Sequence, residues 1–292
     1  MRDPEPAGLR PTISAHRGYS GRAPENTRSA FALAIQAGAD GMECDVHLTA
    51  DGHLAISHDS DVTRMSDGTG LVAYMTLAEL RALRWGDERQ YPVAPGTGWS
   101  SRELMTLPEL IDLLKAAPRR LELFIETKHP SPAGRGLDRA VAAVLADAGW
   151  GGPGPDGVPS PARIVSFDPD SLVELAACGL EVPRILLIEA RPGPSAGEAA
   201  RAADRALAAR AREAVASGAV TGFGPWIPLL VSGRDRLAEF GFKQDPDMLV
   251  LAWNVMSRED VRVCLDAGVT TVGTDHVEMT AAFLRDMGNG DG

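Results

Sequence analysis

The chain has 292 residues, a length that suits a single α/β barrel, and 44% of them are hydrophobic, enough for one large core. The formal net charge is −11 and the basic residues form no cluster, so we expect no nucleic-acid partner. No apolar run is long enough to cross a bilayer and no basic-apolar leader begins the sequence, so we expect one cytoplasmic domain over residues 1–292, without stable membrane insertion.

Short β-branched or apolar runs alternate with longer helical patterns along the chain, which is typical of repeated βα units around a parallel sheet. The pattern predicts eight strands, at residues 12–17, 41–48, 121–128, 163–167, 184–188, 220–224, 248–254 and 271–274. It predicts six helices, at residues 26–37, 107–116, 137–148, 170–177, 197–216 and 257–267. Eight strands with interleaved helices favour a closed (β/α)8 barrel, the TIM-barrel fold, over an open doubly wound sheet.

A small insertion is expected after the second strand. The sequence HLAISHD, at residues 53–59, predicts an extra extended piece, and residues 61–106 then form a long excursion before the next barrel strand. Excursions of this length commonly carry specificity. Its Gly- and Pro-rich loop at residues 91–101, which contains Trp99, is expected to border the pocket.

The first predicted strand ends in a pair of functional side chains, His16 and Arg17. An imidazole can move protons and a guanidinium grips phosphate or carboxylate. Active sites of (β/α)8 barrels lie at the carboxyl ends of the strands, so this pair is placed where catalysis is expected. A second imidazole, His58, follows the extended piece. Two histidines beside a bound phosphate are what acid–base cleavage of a phosphodiester requires.

Three carboxylates are predicted on the next two strands. Glu43 and Asp45 share one face of the second strand, and Glu126 shares a face of the third with Lys128. Carboxylates brought together in a pocket repel each other, so a cation is expected between them. An oxygen-only ligand set favours Mg²⁺ or Ca²⁺ over Zn²⁺. His47 shares the face of the second strand, and the sequence does not show whether it reaches the site.

Each motif has a structural explanation when it is taken alone. A His-Arg pair at a strand end is more often structural than catalytic, and the E-x-D spacing also occurs on exposed strand faces. The functional interpretation rests on their joint occurrence at the ends of predicted consecutive strands. His53, His129 and His276 are taken as surface residues or as supports for other groups.

The stretch HRGYSGRAPENTRSAFALAIQAGADGMECDVHLTADGHLAISHD closely resembles the N-terminal signature of the glycerophosphodiester phosphodiesterases. Its motifs HRG, PENT, GAD, E-x-D-V, T-x-D-G and HD occur in the order that this family has. The similarity continues through VTRMSDGTGLVAYMTLAEL, LPELIDLL and IETK, and more faintly through IVSFDPDSL, LAWNV and GVTTVGTD. The resemblance therefore covers nearly the whole chain.

The resemblance implies a TIM-barrel enzyme that hydrolyses small glycerophosphodiesters, such as glycerophosphocholine or glycerophosphoethanolamine, to glycerol 3-phosphate and an alcohol. It implies roles for eight residues: Glu43, Asp45 and Glu126 as ligands of Mg²⁺ or Ca²⁺, His16 and His58 as the acid–base pair, Arg17 and Lys128 as phosphate contacts, and Trp253 as a platform for the glycerol or head group. The family's WTVN motif is WNVM here, so Asn254 and Met256 depart from it, and His276 and Val277 replace an aromatic-proline pair.

Three rival functions fit parts of the pattern. A related barrel could act on intact lipids, as sphingomyelinase D or lysophospholipase D enzymes do, but the insertion offers few consecutive apolar residues for a membrane. A barrel could also bind a metal and a phosphodiester without turnover, or act as a metal-dependent lyase. The sequence leaves open the head group, the choice between Mg²⁺ and Ca²⁺, the role of each histidine, direct water attack against a cyclic phosphate, and the oligomeric state.

Overall fold

Eight parallel strands close into a barrel in the computed structural model, which describes residues 10–86, 104–154, 157–190, 193, 195–243 and 248–288. The strands are β1 Thr12–Ala15, β2 Gly41–Leu48, β3 Leu54–Ile56, β4 Glu122–Thr127, β5 Ala162–Ser166, β6 Arg184–Ile188, β7 Gly222–Pro225, β8 Leu249–Ala252 and β9 Thr271–Thr274. The strand β1 pairs in parallel with both β2 and β9, which closes the ring, and among the strands that the structure describes only β3 runs antiparallel, on β2. The predicted TIM barrel is confirmed.

Helices surround the barrel. They are α1 Arg28–Gln36, α2 Leu77–Ala82, α3 Leu107–Lys115, α4 Gly136–Asp147, α5 Pro169–Ala177, α6 Glu198–Ala216, α7 Ile227–Ser232, α8 Arg234–Glu239, α9 Arg258–Asp266 and α10 Val277–Gly288. The six predicted helices agree with α1, α3, α4, α5, α6 and α9 to within two residues at each end. The helices α2, α7 and α8 were not predicted, because they have six residues each and show no full amphipathic repeat, and α10 was not predicted either.

The first strand is shorter than predicted, and this places its functional pair in a turn. The strand β1 ends at Ala15, and Arg17 then takes a φ of 55° and Gly18 a φ of 76°. A side chain at Gly18 would lie 2.7 Å from the carbonyl carbon of Ala30, so glycine allows α1 to pack against this turn. His16 and Arg17 therefore lie just past the sheet, at the barrel mouth.

Side chains alternate between the inside and the outside of the barrel. Met42 and Cys44 of β2 pack in the large apolar core between the sheet and the helices. Phe124 of β4 packs inside the ring, in a smaller cluster with Val165 and Leu251. Because Glu126 is two residues beyond Phe124 on β4, it shares the inner face and lies closer to the mouth.

The described part of the insertion, which follows β3, has its own small core. Val62, Val72, Leu80 and Trp85 are buried together, and the Trp85 indole N–H donates to the carbonyl oxygen of Leu80 at 2.8 Å. The predicted pocket loop at residues 91–101, with Trp99, lies outside the described residues. Among the helices that the structure describes, none combines the length and the apolar character needed to cross a membrane.

Candidate active site

Three buried carboxylates meet inside the barrel mouth. Glu43 and Asp45 come from β2 and Glu126 from the neighbouring strand β4, where Asp45 lies opposite Glu126 in the parallel register. One oxygen of each lies within 4.8 Å of the others. The alternation of a strand puts Glu43 and Asp45 on one face, and the pairing with β4 then brings Glu126 to them. The three predicted metal ligands are therefore neighbours in space.

The carboxylate cluster carries charge that burial disfavours. Burial, together with Asp45 and Glu126, raises the pKa of Glu43 well above its ordinary value. Burial and the charge of Asp45 raise the pKa of Glu126 to about 7. Burial alone would also raise the pKa of Asp45, but Lys128 and Arg17 outweigh it and hold that pKa well below its usual range. An all-oxygen cluster in which two carboxylates resist ionisation suits a hard divalent cation, which would replace their protons.

Two permanent cations border the cluster. The Lys128 ammonium lies 2.9 Å from Asp45 Oδ1 and 2.7 Å from Glu126 Oε1. Although burial favours the neutral amine, Asp45 and Glu126 raise the pKa of Lys128, so it stays charged. The backbone N–H of Arg17 donates to Glu43 Oε2 at 3.0 Å, and its Nε lies 3.4 Å from Asp45 Oδ2. Positive charge is therefore fixed on two sides of the carboxylates.

Asn26, which follows the turn after β1, holds Asp45, one of the three candidate metal ligands. Asn26 Nδ2 donates to Asp45 Oδ2 at 2.8 Å, and both residues are buried. The asparagine is free to do so because Thr27, not Asn26, caps α1: the Thr27 hydroxyl accepts from the Ala30 N–H at 3.3 Å. The start of the first barrel helix thus also orients the carboxylate of Asp45.

His16 is held by residues from the far end of the chain. Its Nδ1 lies 2.7 Å from Asp275 Oδ1 and 3.0 Å from Asn254 Nδ2. The Ser20 hydroxyl donates to the same Asp275 oxygen at 2.9 Å. The His16 hydrogen bond lowers the pKa of Asp275 although burial alone would raise it. With Nδ1 engaged in this way, Nε2 is the nitrogen that can exchange a proton with a ligand.

His58 has a similar anchor on the other side of the mouth. Its Nδ1 lies 2.6 Å from Asp59 Oδ1. The buried His47 donates from Nε2 to the carbonyl oxygen of His58 at 3.2 Å, so His47 supports the backbone of His58. Burial lowers the pKa of His58, and Lys128 and Arg17 lower it further, while Asp45 opposes them.

The aromatic candidate Trp253 follows β8 directly. Its indole N–H donates to the carbonyl oxygen of Gly224 at 2.8 Å, and its ring meets Phe167 edge to face with 5.6 Å between centroids. Because the next residue, Asn254, contacts His16, this ring lies at the same end of the barrel as the histidine. The structure therefore brings all eight predicted site residues to one mouth.

The remaining histidines differ in their surroundings. His129 is not a surface residue: its Nε2 lies 2.9 Å from the fully buried Asp138 Oδ1. His53 is exposed, 3.8 Å from Asp51. His276 lies beside Gly21, where an added side chain would meet its ring at 2.5 Å.

Four charged residues that hold the predicted site residues in place were not identified from the sequence. Two of them stood inside quoted motifs, in PENT and in HD, and a third ends the faint motif GVTTVGTD, so a partner for each histidine could have been sought there. A fourth stands in the quoted segment VTRMSDGTGLVAYMTLAEL of the insertion, where only its charge gave a signal. These four are Glu25, Asp59, Asp275 and Arg64.

Comparisons with known proteins agree with the architecture. The Glycerophosphoryl diester phosphodiesterase family model matches residues 16–279. A Mycobacterium tuberculosis protein named probable glycerophosphodiester phosphodiesterase 1 is 35% identical over 279 residues, which cover 94% of this chain and 93% of that protein. A glycerophosphodiester phosphodiesterase of Bacillus subtilis is 28% identical over 91% of this chain and 83% of its own length. A phosphodiesterase of Oleispira antarctica, solved in complex with the product sn-glycerol-3-phosphate, is 25% identical, with a TM-score of 0.69 over 94% of this chain and 97% of its own.

Proposed function

The chain belongs to the glycerophosphoryl diester phosphodiesterase family, and we propose that it hydrolyses small glycerophosphodiesters to glycerol 3-phosphate and an alcohol with a divalent metal ion. Glycerophosphocholine and glycerophosphoethanolamine are the proposed substrates. The observation that carries the proposal is the convergence of three buried carboxylates with two cations and two anchored histidines. The Oleispira antarctica structure, with its bound sn-glycerol-3-phosphate, supports a small-molecule substrate.

The carboxylate cluster supports the metal assignment. Glu43, Asp45 and Glu126 would hold a Mg²⁺ or Ca²⁺ ion, because all three are buried oxygen donors within 4.8 Å of one another. When bound, the ion would neutralise charge on a phosphate oxygen. The choice between the two ions and the cytoplasmic location stay predictions.

Arg17 and Lys128 are proposed to bind the phosphate. Both side chains already meet carboxylates of the cluster and keep their charge at every working pH. A phosphate that enters the mouth would share these donors with the carboxylates, and charge-assisted hydrogen bonds of this kind strengthen as negative charge builds up on the phosphoryl oxygens. Trp253 is proposed to form a platform for the glycerol or the head group.

The surroundings of the two histidines support different roles. Burial and the nearby cations lower the pKa of His58, so its ring is neutral near pH 7 and suited to act as the base. His16 is held at Nδ1 by Asp275, which the Ser20 hydroxyl also contacts, so its Nε2 is left for the complementary transfer to the leaving group. We therefore assign His58 as the base and His16 as the acid.

The proton transfers then balance. His58 takes the proton of the attacking oxygen, a bond forms from that oxygen to phosphorus, and the bond from phosphorus to the alcohol oxygen breaks. His16 gives its proton from Nε2 to the leaving alkoxide and so releases the neutral alcohol. With water as the attacking group this step gives glycerol 3-phosphate directly. With a glycerol hydroxyl it gives a cyclic phosphate, and water then opens the ring with the roles reversed: His16 takes the proton of the water and His58 returns its proton to the glycerol oxygen.

The test is release of glycerol 3-phosphate from glycerophosphocholine and glycerophosphoethanolamine. The wild type, His16→Ala and the exposed-histidine control His53→Ala are each assayed with EDTA, Mg²⁺ and Ca²⁺. We expect metal-restored release in the wild type and the control and a large loss in His16→Ala. A folded wild type that releases no product with either ion would refute the proposal.

A further inference from the structure

The guanidinium of Arg64 joins two carboxylates from separate loops around the mouth. Its Nη2 donates to Glu25 Oε1 at 2.6 Å and its Nη1 to Glu25 Oε2 at 3.3 Å, while its Nε donates to Asp59 Oδ2 at 2.5 Å. Glu25 precedes α1, and Asp59 follows β3. One planar group thus ties the first loop of the barrel to the start of the insertion.

Each of the two carboxylates also holds a group of the proposed catalytic machinery. Asp59 uses Oδ2 for Arg64 and Oδ1 for the Nδ1 of His58, at 2.6 Å. Glu25 accepts from Nη1 of Arg17 at 3.2 and 3.3 Å while it accepts from Arg64. A continuous series of side-chain contacts, with carboxylates and guanidinium groups in alternation, therefore connects His58 to Arg17 through Arg64.

The small core of the insertion anchors the residues on both sides of Arg64. Val62 is fully buried in the small core of the insertion, and Met65 packs against that core. Since residues on both sides of Arg64 are anchored in this core, its guanidinium is presented to Glu25 and Asp59. The hydrogen bond from Arg64, and then that from His58, lower the pKa of Asp59 to about 2 although burial opposes them, so Asp59 stays ionised.

We propose that Arg64 is a positioning residue: it sets His58, through Asp59, and Arg17, through Glu25, at the spacing that the phosphodiester requires. The proposal rests on the function proposed above. It gives the insertion a part in catalysis although Arg64 itself does not touch the reacting atoms. Misplacing catalytic groups by an ångström can slow a reaction by about a hundredfold, so the main effect is expected on turnover. Substrate binding should change less, because Arg17 keeps its own contacts with Glu43 and Asp45 when Arg64 is replaced.

The main variant is Arg64→Ala, compared with Arg81→Ala. Arg81 lies in the same insertion, its side chain is 45% exposed against 47% for Arg64, and it pairs with one carboxylate, Glu109. We expect Arg64→Ala to lower kcat for glycerophosphocholine by about tenfold to a hundredfold with KM changed by less than about threefold. Arg81→Ala should keep both constants. A kcat for Arg64→Ala equal to that of the control would overturn the proposal.

Two further readouts separate positioning from simple destabilisation. Millimolar guanidinium should restore part of the kcat of Arg64→Ala, and Arg64→Lys should rescue only partly because an ammonium cannot span two carboxylates as a planar fork does. In the Glu25→Gln Asp59→Asn background, Arg64→Ala should cost less than about twofold because both partners are already altered. An equal loss in both backgrounds would contradict the positioning role, and so would a loss that follows the melting temperature and resists guanidinium.

The wild type distinguishes the two proposals. If the wild type turns over glycerophosphocholine and Arg64→Ala has the same kcat, the proposed function stands and the role of Arg64 is refuted. A wild type without turnover refutes the proposed function, and the role of Arg64 in that reaction with it.

Discussion

His16 and His58 both rest on a carboxylate, at 2.7 and 2.6 Å, yet their surroundings are different. The carboxylate under His16, Asp275, meets the neutral hydroxyl of Ser20, whereas the carboxylate under His58, Asp59, meets the guanidinium of Arg64. An imidazole gains more from a carboxylate that is not already neutralised by a cation. Two hydrogen bonds of nearly equal length thus lie in different electrostatic surroundings, and the different roles proposed for the two histidines rest on that difference.

The largest effect is expected on replacing either histidine, and the choice of substrate then distinguishes the acid from the base. His16→Ala and His58→Ala should each lower kcat for glycerophosphocholine by about 10²- to 10⁴-fold, the usual contribution of acid–base groups. With a p-nitrophenyl ester of glycerol 3-phosphate, the leaving phenolate needs no proton, so His16→Ala should recover most of the loss while His58→Ala should not. Steady-state kinetics on both substrates measures this. Recovery only in His58→Ala would reverse the assignment, and equal recovery of both variants would contradict it.

The next largest effect is expected for the two carboxylates that hold the histidines, Asp275 and Asp59. Asp275→Asn should lower kcat by about a hundredfold and Asp59→Asn by about tenfold, because the charge of Asp59 is already offset by Arg64. Both substitutions keep the size of the side chain, and melting temperatures check that both variants fold. If Asp59→Asn lowers kcat as much as Asp275→Asn or more, the proposed difference between the two carboxylates is contradicted.

The carboxylate cluster between the histidines predicts a pH effect on stability. The pKa of Glu126 is raised to about 7, so its contribution to the stability of the metal-free protein is full below about pH 4.3, the ordinary glutamate pKa, and is lost as the pH rises through about 7. An ion bound at the cluster would replace that proton. The rise in melting temperature on adding Mg²⁺ or Ca²⁺ should therefore grow between about pH 6 and pH 8.

Scanning calorimetry across this range, with Glu126→Gln as the control, measures the effect. The control lacks the titrating carboxylate and should show a smaller dependence of the metal-induced shift on pH. A shift that stays constant with pH in the wild type would contradict the cluster as the metal site.

The smallest effect concerns Asn254, where the family motif has threonine. Its Nδ2 lies 3.0 Å from His16 Nδ1, the atom that Asp275 also contacts. Because the charged partner remains and is the stronger one, Asn254→Thr should change kcat by no more than about threefold. A loss as large as that of Asp275→Asn would make Asn254 an equal anchor of His16.

The barrel and the carboxylates were predictable because they follow local rules. Alternation along β2 put Glu43 and Asp45 on one face, and parallel pairing of consecutive barrel strands placed Glu126 beside them. The anchors of the histidines follow no such rule. His16 and Asp275 are 259 residues apart and meet only because β1 and β9 pair when the ring closes. Arg64 has no periodic neighbours that could have indicated its two partners.

The turn after β1 shows the same limit at short range. The pattern of residues 12–17 predicts a strand that carries the His-Arg pair at its end, but β1 ends at Ala15 and Arg17 has a left-handed backbone. The contact of Arg17 with Glu43 comes from its backbone N–H and needs this turn. A side-chain pattern cannot predict a hydrogen bond made by the main chain.

The most direct test is ³¹P NMR of glycerophosphocholine incubated with the metal-loaded wild type and with Glu43→Gln. We predict glycerol 3-phosphate as the final phosphorus product of the wild type and a loss of at least tenfold in its rate for Glu43→Gln, because one of three proposed ligands is neutralised. Choline phosphate as the product, or an unchanged rate in Glu43→Gln, would contradict glycerophosphodiester hydrolysis at the carboxylate cluster.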